Sequence, residues 1–168
     1  MSELYREGHM TKLSREEYLA SLATKVTAAG VLFFNEQGEI LVLQPSYKEA
    51  REIPGGMVEG LESPRQAAKR ETLEEIGLDV EIGRLLCIDN KRIAEHVDSY
   101  QMIFDGGVLS VDQIAAITPC PKEIAHYSFL PEAEALVFLG EVKTQRIKMA
   151  LHAKAENTTY YLENGRTV

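Results

Sequence analysis

The stretch Arg70-Glu71-Thr72-Leu73-Glu74-Glu75-Ile76-Gly77 crowds three carboxylates and one guanidinium into a segment of helical character. Glu71, Glu74 and Glu75 stand at i, i+3 and i+4, so one helix face carries all three. Like charges at that spacing cost about a few tenths of a kcal/mol per pair, and Arg70 alone does not cancel them. Such a face is either solvated or built to take a cation. A hard divalent cation takes carboxylate, carbonyl and water oxygens in a near-octahedral set. Glu71 and Glu75, one turn apart, can both reach one ion, and the backbone of Gly55 and Gly56 upstream is free to present a carbonyl. Arg70 can brace a carboxylate through a bidentate pair. Together these residues make a magnesium platform beside a flexible glycine loop.

The helix that positions them is signposted at both ends. Ser63 with Gln66 forms a capping box, Pro64 suits the first helical position, and Gly77 can stop the helix in a left-handed conformation. On a wheel, Ala68, Thr72, Leu73 and Ile76 gather on one side; Arg70 and the glutamates lie opposite, with Ala67 among them. Upstream, Ser14 and Glu17 make a second capping box, predicting a helix near 14–24. VTAAGVLFF and EILVLQPS flank the polar turn NEQG and read as a β-hairpin, and REIPGGM reads as a strand remnant. Downstream, LDVEIGRLLCID, HVDSYQMIFDGG and EIAHYSFL read as strands, and SVDQIAAI and PEAEALVFL as helices. VKTQRIKMALHAKAE reads as a basic amphipathic helix, packed against the core or facing an anionic partner. The alternation predicts one α/β domain with a mixed sheet.

With these residues in place, Gly56 to Leu78 (GMVEGLESPRQAAKRETLEEIGL) resembles the Nudix box, G-x5-E-x7-R-E-U-x-E-E-x-G-U, where U is a bulky aliphatic residue. Gly56, Glu62, Arg70, Glu71, Glu74, Glu75, Gly77 and Leu78 match, and Thr72 departs at the first U position. The resemblance implies a Nudix-type α/β/α sandwich and hydrolysis of a nucleoside diphosphate linked to another moiety, X. It implies Mg²⁺, with Mn²⁺ as a substitute, held by Glu71 and Glu75 with Glu74 as a further ligand and the Gly55 carbonyl as a neutral one. Arg70 is then the residue that orients the acidic face, and Glu62 a structural bridge from loop to helix. The proton acceptor is Glu71 or Glu74, or an acid beyond the box: Glu95, Asp98 or, favoured among these, Glu123. A non-catalytic module that senses a nucleotide is the rival reading; the intact set of box glutamates weighs against it.

Substrate contacts are less marked. Arg51, Lys91 and Arg92 are candidates for phosphates, although lone basic side chains more often only solubilise a surface. His96 is a candidate titrating group, and Phe33, Phe34 and Tyr100 are candidate stacking platforms or core residues. The chain has no tryptophan and no proline between Pro64 and Pro119, which argues against the NADH- and ADP-ribose-hydrolysing subgroups; the coenzyme A signature is missing too.

A net charge of −8 argues against nucleic-acid and anionic-membrane partners and leaves a small polyanion screened by metal. Cys87 and Cys120 lack metal-ligand spacing, and no signal peptide or spanning run is seen, so a cytoplasmic protein with reduced thiols is expected. The expected organisation is a 1–23 extension, a 24–155 Nudix domain and a 156–168 tail. GHM at 8–10 resembles a cloning scar, so the first ten residues carry no weight. The first and last helices are candidates either for homodimer contacts or for caps on the same core.

Overall fold

The computed structural model describes residues 13–94 and 97–168; the first ten residues, Glu95 and His96 lie outside these. After the short helix α1 (Arg15–Ala20), the chain runs β1 (Val26–Phe34), β2 (Ile40–Pro45), β3 (Gly55–Met57) and α2 (Pro64–Ile76). Next come β4 (Leu85–Ala94), β5 (Val97–Val108), α3 (Val111–Ala115) and β6 (Ile124–Leu130). It closes with α4 (Glu132–Phe138), α5 (Glu141–Ala155), β7 (Tyr160–Glu163) and β8 (Arg166–Thr167). The strands form one mixed sheet in the order β6-β2-β1-β5-β4-β7-β8, with β3 also paired to β1. β1 runs parallel to β5 and β4 parallel to β7; the other pairs are antiparallel.

Two-residue alternation along β1 builds both faces of a sandwich. Ala29, Val31 and Phe33 pack toward Ala67, Ala68 and Ile76 of α2. Leu32 and Phe34 pack toward Ala135 of α4 and Ile147, Ala150 and Ala153 of α5. The predicted α/β/α sandwich is the observed architecture.

One edge of β1 is shared. β2 meets it at Phe34–Ile40, while β3 takes the other half, pairing Gly30 with Gly55 and Ala28 with Met57. The excursion 46–54 between β2 and β3 is thereby led over the sheet toward α5.

The C-terminal segment, expected as a tail, instead adds β7 and β8 to the sheet. Asn164 (φ 51°) and Gly165 (φ 77°) form its turn, an Asn-Gly pair suited to the two positive φ angles of a tight hairpin. That turn has a structural task. The Gly165 N–H donates to Asp89 Oδ1 at 2.9 Å, and Asp89 Oδ2 accepts from Nε and Nη2 of Arg146 at 3.0 and 2.8 Å. Asp89 is fully buried and Arg146 nearly so, and their ion pair fixes α5 against β4.

Candidate active site

α2 begins and ends as its sequence prescribes. The Ser63 hydroxyl accepts from the Gln66 N–H, the Gln66 side chain answers to the Ser63 N–H, and Gly77 closes the helix at φ 74°. Its buried face differs from the wheel reading. Ala67, Ala68, Thr72 and Ile76 are buried, whereas Leu73 is 49% exposed. The two alanines let the helix axis approach the sheet closely, and this turns the helix so that Glu71 and Glu75 slide under β3. Thr72 is fully buried and gives its hydroxyl proton to the Ala68 carbonyl at 2.7 Å, so its polar group is satisfied within the helix.

Arg70 organises the acidic face. It donates to both oxygens of Glu62 (Nη2–Oε1 2.8 Å, Nε–Oε2 3.2 Å) and to the Met57 carbonyl at 3.0 Å. Its Nη1 bridges Glu71 Oε1 at 2.9 Å and Glu74 Oε2 at 2.8 Å. Glu62 also accepts the Glu59 N–H, so the pair bridges loop and helix. Glu74 therefore sits on Arg70, half exposed, rather than beside Glu75.

Glu75 turns the other way. Its Oε2 accepts the Gly55 N–H at 2.8 Å. Gly55, expected to offer a carbonyl, thus faces the glutamate with its amide. Burial pushes the Glu75 carboxyl up to about 8; the Gly55 amide opposes this, and the charges of Glu71, Glu52 and Glu123 reinforce it. Glu71 is raised as well, chiefly by burial, with Arg70 pulling it back and Glu74 and Glu123 pushing it further. Two half-buried carboxylates therefore lie in a field of further carboxylates, with one guanidinium to offset them.

Two glycines make this closeness possible. Gly55 has φ 141°, and a Cβ there would stand 2.2 Å from the Ala29 carbonyl oxygen; at Gly56 it would stand 2.3 Å from Glu71 Oε1. These collisions differ in kind, because one is with backbone and the other with the end of a side chain. Gly55→Ala is expected to destabilise the fold by about 3 kcal/mol or more, as strained backbone sites do. Gly56→Ala is expected to leave stability nearly intact while displacing Glu71, so divalent-metal affinity falls. Urea unfolding and metal titration of the two variants, side by side, check this.

The remaining candidates divide. Glu123, at the mouth of the site before β6, is exposed, and its charge is felt by both Glu71 and Glu75. The turn that brings it there caps α2: the Cys120 and Thr118 amides donate to the Glu75 and Ile76 carbonyls, both at 2.9 Å. Asp98 is paired with Lys25, which together with Arg92 holds its carboxyl below the ordinary range and removes it from the site. Arg51 stacks on the Phe138 ring, its guanidinium carbon 4.0 Å from the centroid. Lys91 and Arg92, at the far end of β4, do not line the cavity described below. Phe33 is core, Phe34 nearly so, and Tyr100 lies on β5.

Beside Gly55 and Gly56 opens a cavity of about 330 Å³ between the sheet and α5. Its polar lining includes Lys48, Glu52, Gln101, Lys143 and Arg146. Glu52 accepts from Lys48 at 2.8 Å and from Lys143. Burial alone would raise the Glu52 carboxyl, but these two lysines more than offset it and hold it low. None of these residues was singled out by the sequence reading. The only signal was the basic helix itself, where Lys143, Arg146 and Ile147 repeat at i, i+3 and i+4.

The NUDIX domain family matches residues 24–151. The chain belongs to the Nudix family. Among curated relatives, diphosphoinositol polyphosphate phosphohydrolase 2 of Rattus norvegicus is 39% identical over 74 residues, 43% of this chain and 41% of that protein. The Nudix chain thus spans less than half the length of that relative. The MutT protein of Methanosarcina mazei Go1 superposes with a TM-score of 0.64 at 24% identity, covering 82% of this chain and 99% of its own. A C. elegans Ap4A hydrolase gives a TM-score of 0.62 at 21% identity, covering 79% and 98%. At such identities these structures share the Nudix fold. Among the described residues, no helix is long and apolar enough to cross a membrane.

Proposed function

We propose that the protein is a metal-dependent pyrophosphohydrolase that cleaves a nucleoside diphosphate linked to another moiety, X. The observation that carries this is the pair Glu71 and Glu75, half buried beneath Gly55–Gly56 with too little positive charge beside them. Among the described residues Glu75 has no cation as a direct partner, and it is driven toward its protonated form. A divalent cation with a preference for hard oxygen fits this deficit. Among the described residues no three acidic, histidine or cysteine side chains close around one point. Glu71 and Glu75 would be the protein's main share of the ligand set, with Glu74 turned onto Arg70. That share matches magnesium, which keeps several waters and substrate phosphate oxygens. When bound, such an ion offsets charge on the diphosphate and acidifies an attacking water.

The protein's own residues do the rest. Arg70, locked by Glu62 and the Met57 carbonyl, fixes the direction of Glu71 and holds Glu74 away from it. The Gly55 amide aims Glu75. Glu123 stands exposed at the mouth of the site, near enough to both to shift them, and is free to take the proton of the water that attacks phosphorus in line. Glu71 and Glu74 are both engaged by Arg70 and are poorer acceptors. The names of the relatives, a diphosphoinositol polyphosphate phosphohydrolase and an Ap4A hydrolase, both describe attack on phosphoric anhydrides and support the reading.

A phosphate-release screen over nucleoside diphosphate-X compounds, with Mg²⁺ and with EDTA, tests it. Metal-dependent hydrolysis of one compound class is expected. Silence across the panel, with nucleotide binding retained in a thermal-shift assay, would replace the enzyme by a nucleotide sensor.

A further inference from the structure

The cavity beside the acidic face has a charge opposite to the rest of the molecule. Three cationic side chains line it, Lys48, Lys143 and Arg146. Two carboxylates answer them, Glu52 to the lysines and Asp89 to the arginine, which leaves one positive charge over on a chain of net charge −8. Arg146 is the most informative of the three. Its side chain is 7% exposed; Nε and Nη2 are spent on Asp89, and Nη1 has no partner among the described residues. An arginine braced from behind by a carboxylate, on the wall of a cavity and with one nitrogen uncommitted, is placed to meet an incoming acceptor through a charge-assisted hydrogen bond. Lys143 lies one turn away on the same face of α5.

The walls argue against a nucleobase as the occupant. A base gains most of its binding from an aromatic face. Among the described residues the one aromatic in the lining is Tyr47, which is 70% exposed and already lies beneath the Lys48 ammonium, 5.0 Å from its ring centre.

Resting on the hydrolase reading for what the substrate is, we propose that this cavity takes the X end of the nucleoside diphosphate and selects an X that bears an oxyanion. Arg146 Nη1 and Lys143 are the direct contacts, and Lys48 is the third. In the free protein Glu52 stands in for that oxyanion by holding both lysines. The Gly55–Gly56 backbone borders the cavity as well as Glu75 and Glu71, so one substrate spans both sites.

Binding of uncleavable esters tests this independently of turnover. Methylene-bridged diphosphates of adenosine and of uridine, carrying glucose, phosphoglucose or glucuronic acid as X, are titrated by calorimetry into the wild type and Lys143→Gln. An oxyanion on X should tighten binding about tenfold or more, the scale of one charge-assisted hydrogen bond. That advantage should shrink in Lys143→Gln and with added salt, whereas a merely structural lysine would leave the ratio between esters unchanged. Preference for phosphoglucose alone assigns a phosphorylated X; equal preference for glucuronic acid assigns any oxyanion. Equal binding of all three esters, or no binding of any, overturns the proposal. Selective binding, with no Mg²⁺-dependent cleavage of the oxygen-bridged counterpart, would instead remove the hydrolase reading and leave the cavity assignment standing.

Discussion

Glu75→Gln is expected to lower Mg²⁺-dependent turnover by at least about a hundredfold, the scale of losing one oriented group that stabilises transition-state charge. The fold should remain intact. Glutamine keeps the length of the side chain and can still accept the Gly55 amide through its carbonyl oxygen, so the loop stays anchored. What it removes is the negative charge, and with it half of the carboxylate pair proposed to hold the ion. At pH 8 and above the metal-free variant should be at least as stable as the wild type, because no ionised group is then buried beside Glu71. Steady-state kinetics with a metal titration, together with urea unfolding in EDTA, measure both effects. Near-normal turnover at saturating Mg²⁺ would sink the assignment of Glu75. Glu123→Gln makes the contrast: turnover should fall while metal affinity is nearly retained, since Glu123 is placed to accept a proton and not to hold the ion.

The legible and illegible parts of this molecule separate along a physical line. Features carried by neighbours in sequence were readable: the Ser63–Gln66 box, the stop at Gly77, and the i, i+3, i+4 run of glutamates all recur in the structure. So did the alternation of β1, because period two follows from the strand itself. Which way α2 rolls was not readable, because it depends on how closely Ala67 and Ala68 let it approach the sheet. The same holds for β7, a four-residue strand whose partner β4 lies about seventy positions back. Its local cue, Asn164-Gly165, is visible only to a reader looking for a hairpin there. The cavity is the extreme case. Lys48, Glu52, Lys143 and Arg146 come from a loop and a helix almost a hundred residues apart, and no short motif joins them. The Arg70 network lies between these limits. A brace for one carboxylate was readable from its place among the glutamates, but its grip on Glu62, Glu71, Glu74 and Met57 together needed the folded loop.

The metal-free protein is expected to lose stability as pH rises from about 5 to 8, by roughly 1 kcal/mol per pH unit at the steepest point. The sign follows from Glu75, whose carboxyl sits near 8 when folded against an ordinary value of 4.5. Below the ordinary value both folded and unfolded chains are protonated, and the contribution is fully present. Between the two values the unfolded chain ionises while the folded one holds its proton, so each rise in pH favours unfolding; above 8 the loss levels off. Glu71, also raised, acts in the same direction. Glu52, Glu62 and Asp98 are held low and act oppositely, but their window lies below the ordinary carboxylate range and does not overlap this one. A divalent cation takes the ionised form of Glu75, so binding releases a proton and tightens as pH rises. Ion at a hundred times its dissociation constant adds about 2.7 kcal/mol, enough to flatten the slope. Urea unfolding at pH 6, 7, 8 and 9, in EDTA and in Mg²⁺, reads this directly. A metal-free stability that is flat or rises between pH 6 and 8 would show that Glu75 is not held in a charge-deficient pocket. A slope that persists undiminished in Glu75→Gln would place its origin in another group, with Glu71 the first to examine.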